Sequence, residues 1–295
     1  MTDAVTSSPR SARAESLSRA LYRFSQSWLS VIGLAIVVLL IIVAILAPWI
    51  VPHPEHALGV TNTAARFQPP SATAWFGTNA IGQDIFSLVV IGSRVSLFSG
   101  IAVVIISIIV GTFLGAIAGY CGGWIDEVIM RLTDLMLTIP SLILAMAVAA
   151  ALGSGTFNMI VAIALTWWPS YARLVRGEVI SRKEDQFVTA ARALGAGWQR
   201  ILFRHILPNI TSPIVVKASL DMGFAILTVA SLGFVGIGVK PPTPEWGTLL
   251  SGARSYMPTY WWTAVAPGMA IFFAVFAFNL LGDGLRDVLD PKARR

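Results

Sequence analysis

A single cysteine, Cys121, stands in the whole chain of 295 residues, which excludes an intramolecular disulfide and any cysteine-rich metal centre. Its expected role is that of a small, semi-apolar packing residue. Charge is equally scarce: Asp, Glu, Lys and Arg make up 12% of the residues, hydrophobic types 56%, and mean hydropathy is +0.74. Those values lie far from a soluble domain and describe an integral membrane protein. The net charge of +6 raises nucleic acid as a partner, but the basic residues are scattered between apolar runs and form no stripe that tracks phosphates. Membrane orientation explains the bias instead. No G-x-x-x-x-G-K-[ST] phosphate loop occurs, so this chain carries no ATP chemistry of its own. No Ser/His/Asp or paired-carboxylate constellation falls at membrane depth, and a secondary transporter would show more intramembrane acids and an internal repeat.

What is present is a series of long apolar runs, and they predict an all-α, polytopic fold with six transmembrane helices. Residues 1–27 are expected to form a cytosolic tail, with Leu17, Leu21, Phe24 and Trp28 spaced either for a helix lying on the membrane surface or for a solvated extension of the first span. Residues 28–50 form the first span, long enough for a hydrocarbon core of about 30 Å. Residues 51–94 turn polar and Pro-rich and read as an extramembrane loop, with one amphipathic helix near Ile81 to Ile91. Residues 95–281 hold the other five spans, Val95–Gly119, Leu135–Leu152, Phe157–Leu174, Ile210–Val235 and Trp261–Leu281, and residues 282–295 form a polar tail. Gly111, Gly115 and Gly119 recur every fourth residue, a face that lets another helix approach closely. Counting Lys and Arg by side gives sixteen on the side of the termini and three, Arg66, Lys240 and Arg254, on the other. Both termini are therefore expected in the cytosol.

The stretch 184–209, EDQFVTAARALGAGWQRILFRHILPN, cannot itself cross a membrane. Phe187, Ala190, Ala191 and Leu194 share a helical face, Glu184 and Asp185 favour a helix start, and Gly195 suits a helix end. Trp198, Ile201, Leu202 and His205 suggest a second helix that Pro208 terminates. The two form a hairpin with a partner-facing surface.

This stretch resembles the EAA loop of ABC-importer permeases, whose pattern is E-A-A, three residues, Gly, nine residues, then I-x-L-P. Ala190, Ala191, Gly195, Leu207 and Pro208 match it in register, with Thr189 in place of the Glu and His205 in place of the Ile. Both departures are similar to those of the dipeptide, oligopeptide and nickel permeases. Further blocks resemble the "C-type" member of that permease pair: FGTNAIGQDIFS from Phe76, GSRVSL from Gly92, AGYCGGWID from Ala118, GVKPPTPEWG from Gly238 and LGDGLRDVLDP from Leu281.

The resemblance implies a type I importer permease in the bacterial inner membrane. It pairs with a homologous B-type permease, couples through Ala190, Ala191 and Gly195 to two ABC ATPase subunits that hold the Mg-ATP, and receives solute from an extracytoplasmic substrate-binding protein. Peptides are the expected cargo, with nickel complexes, glutathione or an opine as alternatives.

Other residues invite a role. Asp221 falls about 16 Å into the fifth span with Lys217 one turn before it, and intramembrane charge implies either a polar translocation path or an interhelical pair. Pro242, Pro244, Glu245 and Trp246 read as a stiff outward loop that touches the binding protein or its cargo, or else sets a Trp at the membrane interface. His53, Glu55 and His56 supply at most three ligands from one Pro-rich loop, so no metal is assigned to them.

Overall fold

The computed structural model describes Tyr22 and residues 24–289. Most of the expected surface helix around Leu17 and Leu21, the tail before it and residues 290–295 lie outside the described residues.

Secondary structure is helical almost throughout; among the described residues the only β-type pairing is an isolated bridge between Thr78 and Asp84. The long helices are α1 (Trp28–Ile50), α2 (Ile85–Cys121), α5 (Thr156–Lys183), α7 (Thr211–Val235) and α9 (Trp262–Leu289). Between them lie α3 (Gly123–Thr138), α4 (Ser141–Leu152), α6 (Gln186–Ala193) and α8 (Trp246–Ala253). Among the described residues four stretches are long and apolar enough to cross a membrane, Trp28–Ile50, Ile85–Cys121, Trp198–Val235 and Trp262–Leu289, and a fifth if α3 and α4, bent by 96°, count as one span. The third expected span is thus a broken pair, turned at Ile139 and Pro140 because proline leaves no amide to continue α3. The expected span inside α5 has the length, 28 residues or about 42 Å, but not the apolarity. It does not need it, because Thr166, Trp168 and Tyr171 are buried against other helices rather than lipid.

α2 is 37 residues and about 55 Å long, so the amphipathic helix expected near Ile81 is simply its beginning. Asp84 caps it, its carboxylate accepting from the Ser87 amide at 2.9 Å. α2 and α5 form the spine of the bundle. A Cβ at Gly111, Gly115 or Gly119 would lie 2.5, 2.3 or 2.8 Å from Tyr171, Ala172 or Arg176 on α5, so the backbones meet where only glycine fits. Serines at 87, 93, 96, 99 and 107 are buried on the same helix, small residues that keep the contact tight where greasy side chains would gain nothing over lipid.

Two apolar cores flank this spine. Val103, Met159, Ile163, Val229 and Leu232 join α2, α5 and α7, with Ala145 and Ala149 of α4 packed into the same cluster. Leu97, Ile226, Trp246, Ile271 and Phe278 join α2, α7, α8 and α9, and Val37 brings α1 against them. Elsewhere large apolar side chains such as Leu39, Ile45, Ile105, Ile109, Phe113 and Phe272 are exposed, as a lipid-facing surface requires. Cys121 is exposed at the end of α2 and not a packing residue; the chain turns away there through Gly122.

Candidate functional site

Residues 184–210 close one end of the bundle as a helical hairpin. Only Glu184 and Asp185 separate α5 from α6, and the Asp185 amide donates to the Arg182 carbonyl at 3.1 Å. α6 ends in a paired closure: the amides of Gly195 and Ala196 donate to the carbonyls of Arg192 and Ala191 at 3.0 and 3.1 Å. That closure needs a left-handed residue, and Gly195 has φ +79°. No atom lies within 4 Å of a Cβ added there, so a side chain would be opposed by backbone conformation and not by a neighbour.

The expected apolar face of α6 is split in two. Val188 is fully buried, and Ala191 packs beside it on Val175, Val179, Ile201, Leu202 and Ile206. Phe187, Ala190 and Leu194 point the other way and are exposed, Leu194 at 88%. Ala191 and Val188 therefore fix the hairpin to α5, while three residues at i, i+3 and i+7 present an uncovered apolar stripe. Leu207 is half-buried in the same core and Pro208 is exposed.

Pro208 does not stop the second helix. A π-helical turn spans Ile201–Ile206, where the Leu207 amide reaches back five residues to the Leu202 carbonyl, and a 3-10 turn spans Leu207–Ile210. Pro208 sits in the first turn of the latter, where no amide bond is required, so the chain runs on into α7. The hairpin is also tied to α2: Lys183 Nζ donates to the Tyr120 carbonyl at 2.7 Å and stands 5.5 Å above the Tyr120 ring.

Midway along the bundle, Lys217 Nζ meets Asp221 Oδ2 at 2.9 Å with their side chains 28% and 17% exposed. Lys217 also lies 4.9 Å over the Tyr171 ring of α5. The two charges neutralise one another within α7, and Lys217 alone reaches across to α5.

At the opposite end the expected outward loop is only partly outward. Pro241, Pro242 and Thr243 are exposed, whereas Pro244 is buried, Glu245 is 0% and Trp246 1% exposed. Glu245 and Trp246 are therefore not surface contacts. Glu245 caps α8, accepting from the amides of Gly247 and Thr248 at 2.9 Å, from the Thr248 hydroxyl at 3.2 Å and from Ser96 Oγ of α2 at 3.1 Å. Burial raises its pKa, and the four hydrogen bonds work against that rise. The Trp246 indole donates to the Val89 carbonyl at 2.9 Å. No ordinary sequence signal marks Glu245 as the cap, since Ser, Thr, Asp or Asn usually fills that position.

An apolar cavity of about 490 Å³ lies between this loop, residues 59–83 and the start of α9, lined by Phe67, Ile81, Pro242, Leu249, Tyr256 and Pro267. The amides beside it are already satisfied, Asn79 donating to Gln83 Oε1 at 3.0 Å and Gln83 donating to the His56 and Val60 carbonyls. His53, Glu55 and His56 bring one ligand atom each within 4.8 Å. His56 Nδ1, however, accepts from the Asp84 amide at 3.0 Å, so the neutral ring carries its proton on Nε2 and has no lone pair left for a metal. Burial lowers the His56 pKa and keeps that neutral form, while Nδ1 of His53 is held by Glu55 at 3.1 Å. This cluster orients the start of α2.

The family of binding-protein-dependent transport system inner membrane components matches residues 111–295, and the N-terminal transmembrane domain of oligopeptide transport permease C matches residues 16–70. The chain is 44% identical over 276 residues to the probable D,D-dipeptide transport system permease protein DdpC of Escherichia coli (strain K12), covering 94% of this chain and 92% of that one. It is 46% identical over 275 residues to the dipeptide transport system permease protein DppC of Alkalihalophilus pseudofirmus, with 93% and 90% covered. A glutathione transport system permease protein GsiD, from Pectobacterium atrosepticum, is 44% identical over 272 residues, with 92% and 90% covered. The matches run through the hairpin, the broken helix pair and the capped helix alike. This chain thus belongs to the binding-protein-dependent inner membrane components, as an OppC/DppC-type permease, the multi-pass membrane subunit and not the ATPase of an ABC importer.

Proposed function

We propose that this chain forms, with a second homologous permease, the path for ATP-driven uptake of short peptides. The hairpin at 184–209 is its docking point for a cytosolic ATPase. One observation carries this reading: α6 leaves Phe187, Ala190 and Leu194 exposed while Val188 and Ala191 anchor the same helix to the bundle. An apolar stripe on a rigid base is suited to a groove in a partner, and closure of that partner would move the base as a body. Sixteen basic residues on the side of the termini against three support placing the hairpin and both termini in the cytosol. The partners are then a B-type permease, two ATPases that bind the Mg-ATP, and a binding protein that meets the exposed Pro241–Thr243 segment at the other end.

The relatives named for D,D-dipeptides, dipeptides and glutathione support a short peptide as cargo. Lys217 and Asp221 are assigned to the path, because an ion pair on an apolar span that stays partly open, at 28% and 17%, faces water or protein and not lipid. Reconstituted complex supplied with labelled alanyl-alanine or glutathione should accumulate one of them in an ATP-dependent manner. Accumulation of neither would refute the cargo assignment. Asp221→Asn should change uptake of charged and neutral dipeptides unequally; an equal change for both would make the pair structural only.

A further inference from the structure

The broken helix pair is attached to the bundle in two different ways. α4 is held by packing, Ala145 and Ala149 being fully buried beside Met159 and Ile163 of α5. α3 is not. Thr133 is its one buried residue, and Trp124, Val128, Leu132 and Leu135 along its outer side are all exposed. What joins α3 to α5 is polar: Arg176 donates from Nε and Nη2 to the two carboxylate oxygens of Asp126 at 2.5 and 2.6 Å, and Arg173 donates to Asp134 at 2.5 Å.

The two pairs differ in setting. Asp126 and Arg176 are 18% and 34% exposed, whereas Asp134 and Arg173 are 60% and 56% exposed, so the first pair is the better shielded and the only bidentate one. A planar fork on a carboxylate fixes orientation as well as distance. Arg176 also stands where α5 meets Gly119 of α2, a Cβ on that glycine lying 2.8 Å from the Arg176 carbonyl. Seven residues further on, α5 ends at Lys183 and the hairpin begins. The end of α5 therefore has α2 on one side, the hairpin core beyond it, and α3 on the Arg176 fork.

We propose that the Arg176–Asp126 fork, supported by Arg173–Asp134, is the link through which displacement of the hairpin is carried into α3. Arg176 and Asp126 are positioning residues for transport: they touch neither ATP nor cargo. The inference rests on the hairpin being the ATPase docking point. None of the buried apolar clusters includes a residue of α3, so loosening its ion pairs leaves those cores intact, which is what makes the link testable apart from folding.

The test uses the full reconstituted complex, with labelled alanyl-alanine or glutathione, whichever the unmodified complex accumulates. Arg176→Gln and Asp126→Asn should each lower uptake at least tenfold, while ATPase co-purification and ATP hydrolysis in the presence of binding protein stay within about twofold. ATP consumed per solute moved then rises at least about fivefold. The exchange Arg176→Asp with Asp126→Arg should recover uptake to within about threefold, because the fork is rebuilt with its ends reversed. Unchanged uptake in the single variants would overturn the proposal, as would loss of ATPase binding in parallel with uptake, which makes the pair part of the fold. Leu194→Asp distinguishes the underlying reading: if that variant keeps its ATPase and its uptake, the docking assignment itself fails, whatever Arg176 does.

Discussion

Leu194 and Glu245 sit at opposite ends of the bundle and at opposite extremes of exposure, an apolar side chain 88% open and a carboxylate 0% open. Each inverts the ordinary preference of its residue type. At the Glu245 end every oddity is settled inside the chain: the acid caps α8, bonds Ser96, and is packed so closely that a Cβ on Gly233 would come within 2.2 Å of Oε2. At the Leu194 end nothing among the described residues covers the oddity. A buried charge that is fully hydrogen-bonded belongs to the fold, whereas an exposed Leu on an ordered helix end points to a partner. On the function proposed above, the contrast separates a region that specifies structure from one that specifies assembly.

Substitutions can break that contrast, and the largest effect belongs to the hairpin. Leu194→Asp should abolish ATP-dependent uptake and reduce ATPase co-purification at least tenfold, with thermal stability of the isolated permease changed by no more than about 0.5 kcal/mol, as for other exposed sites. Gly195→Asp should also abolish transport and leave membrane insertion intact, with a stability loss of about 1 kcal/mol from the left-handed backbone. Glu245→Ala reverses the order of effects. It removes the cap of α8 and leaves the Gly247, Thr248 and Ser96 donors unpaired, a loss on the order of 3 kcal/mol, read as a lower melting temperature in detergent. Uptake should then fall only with the amount of assembled protein.

Smaller effects sharpen the comparison within the Glu245 end. Pro242→Ala, on the exposed part of the loop, should raise the apparent KM for binding protein about threefold without altering the melting temperature. His53→Ala should change stability by about 0.5 kcal/mol or less and leave transport insensitive to chelator. Strong chelator sensitivity of the unmodified protein that His53→Ala removes would restore a metal to that cluster.

Membrane class, helix content and the hairpin were legible because they depend on local pattern. Apolar runs report spans, the four-residue spacing of Gly111, Gly115 and Gly119 reports a close contact that α5 indeed makes, and Gly195 reports a left-handed helix end. What the pattern hid was tertiary in origin. The burial of Glu245 and Trp246 depends on Ser96 and Val89, each about 150 residues away in sequence. The continuation through Pro208 depends on a π turn that shifts the hydrogen-bond ladder, which residue propensity does not encode. Ala190 and Ala191 looked equivalent in sequence because they are adjacent on one helix; only the position of Ile201 and Leu202 decides which of them faces inward. Phe157–Leu174 was read as a span, yet α5 is packed among other helices and buries Thr166 and Tyr171.

The account turns on what covers the exposed stripe of α6. With Cys121→Ser to remove the one native thiol and Leu194→Cys to place a new one, a short thiol-reactive cross-linker applied to the assembled complex gives the most direct answer. Adducts with the ATPase subunit, diminished when the complex is held by ADP and vanadate, are the predicted result. An adduct with the binding protein, or none with the ATPase while the complex remains active, would contradict it.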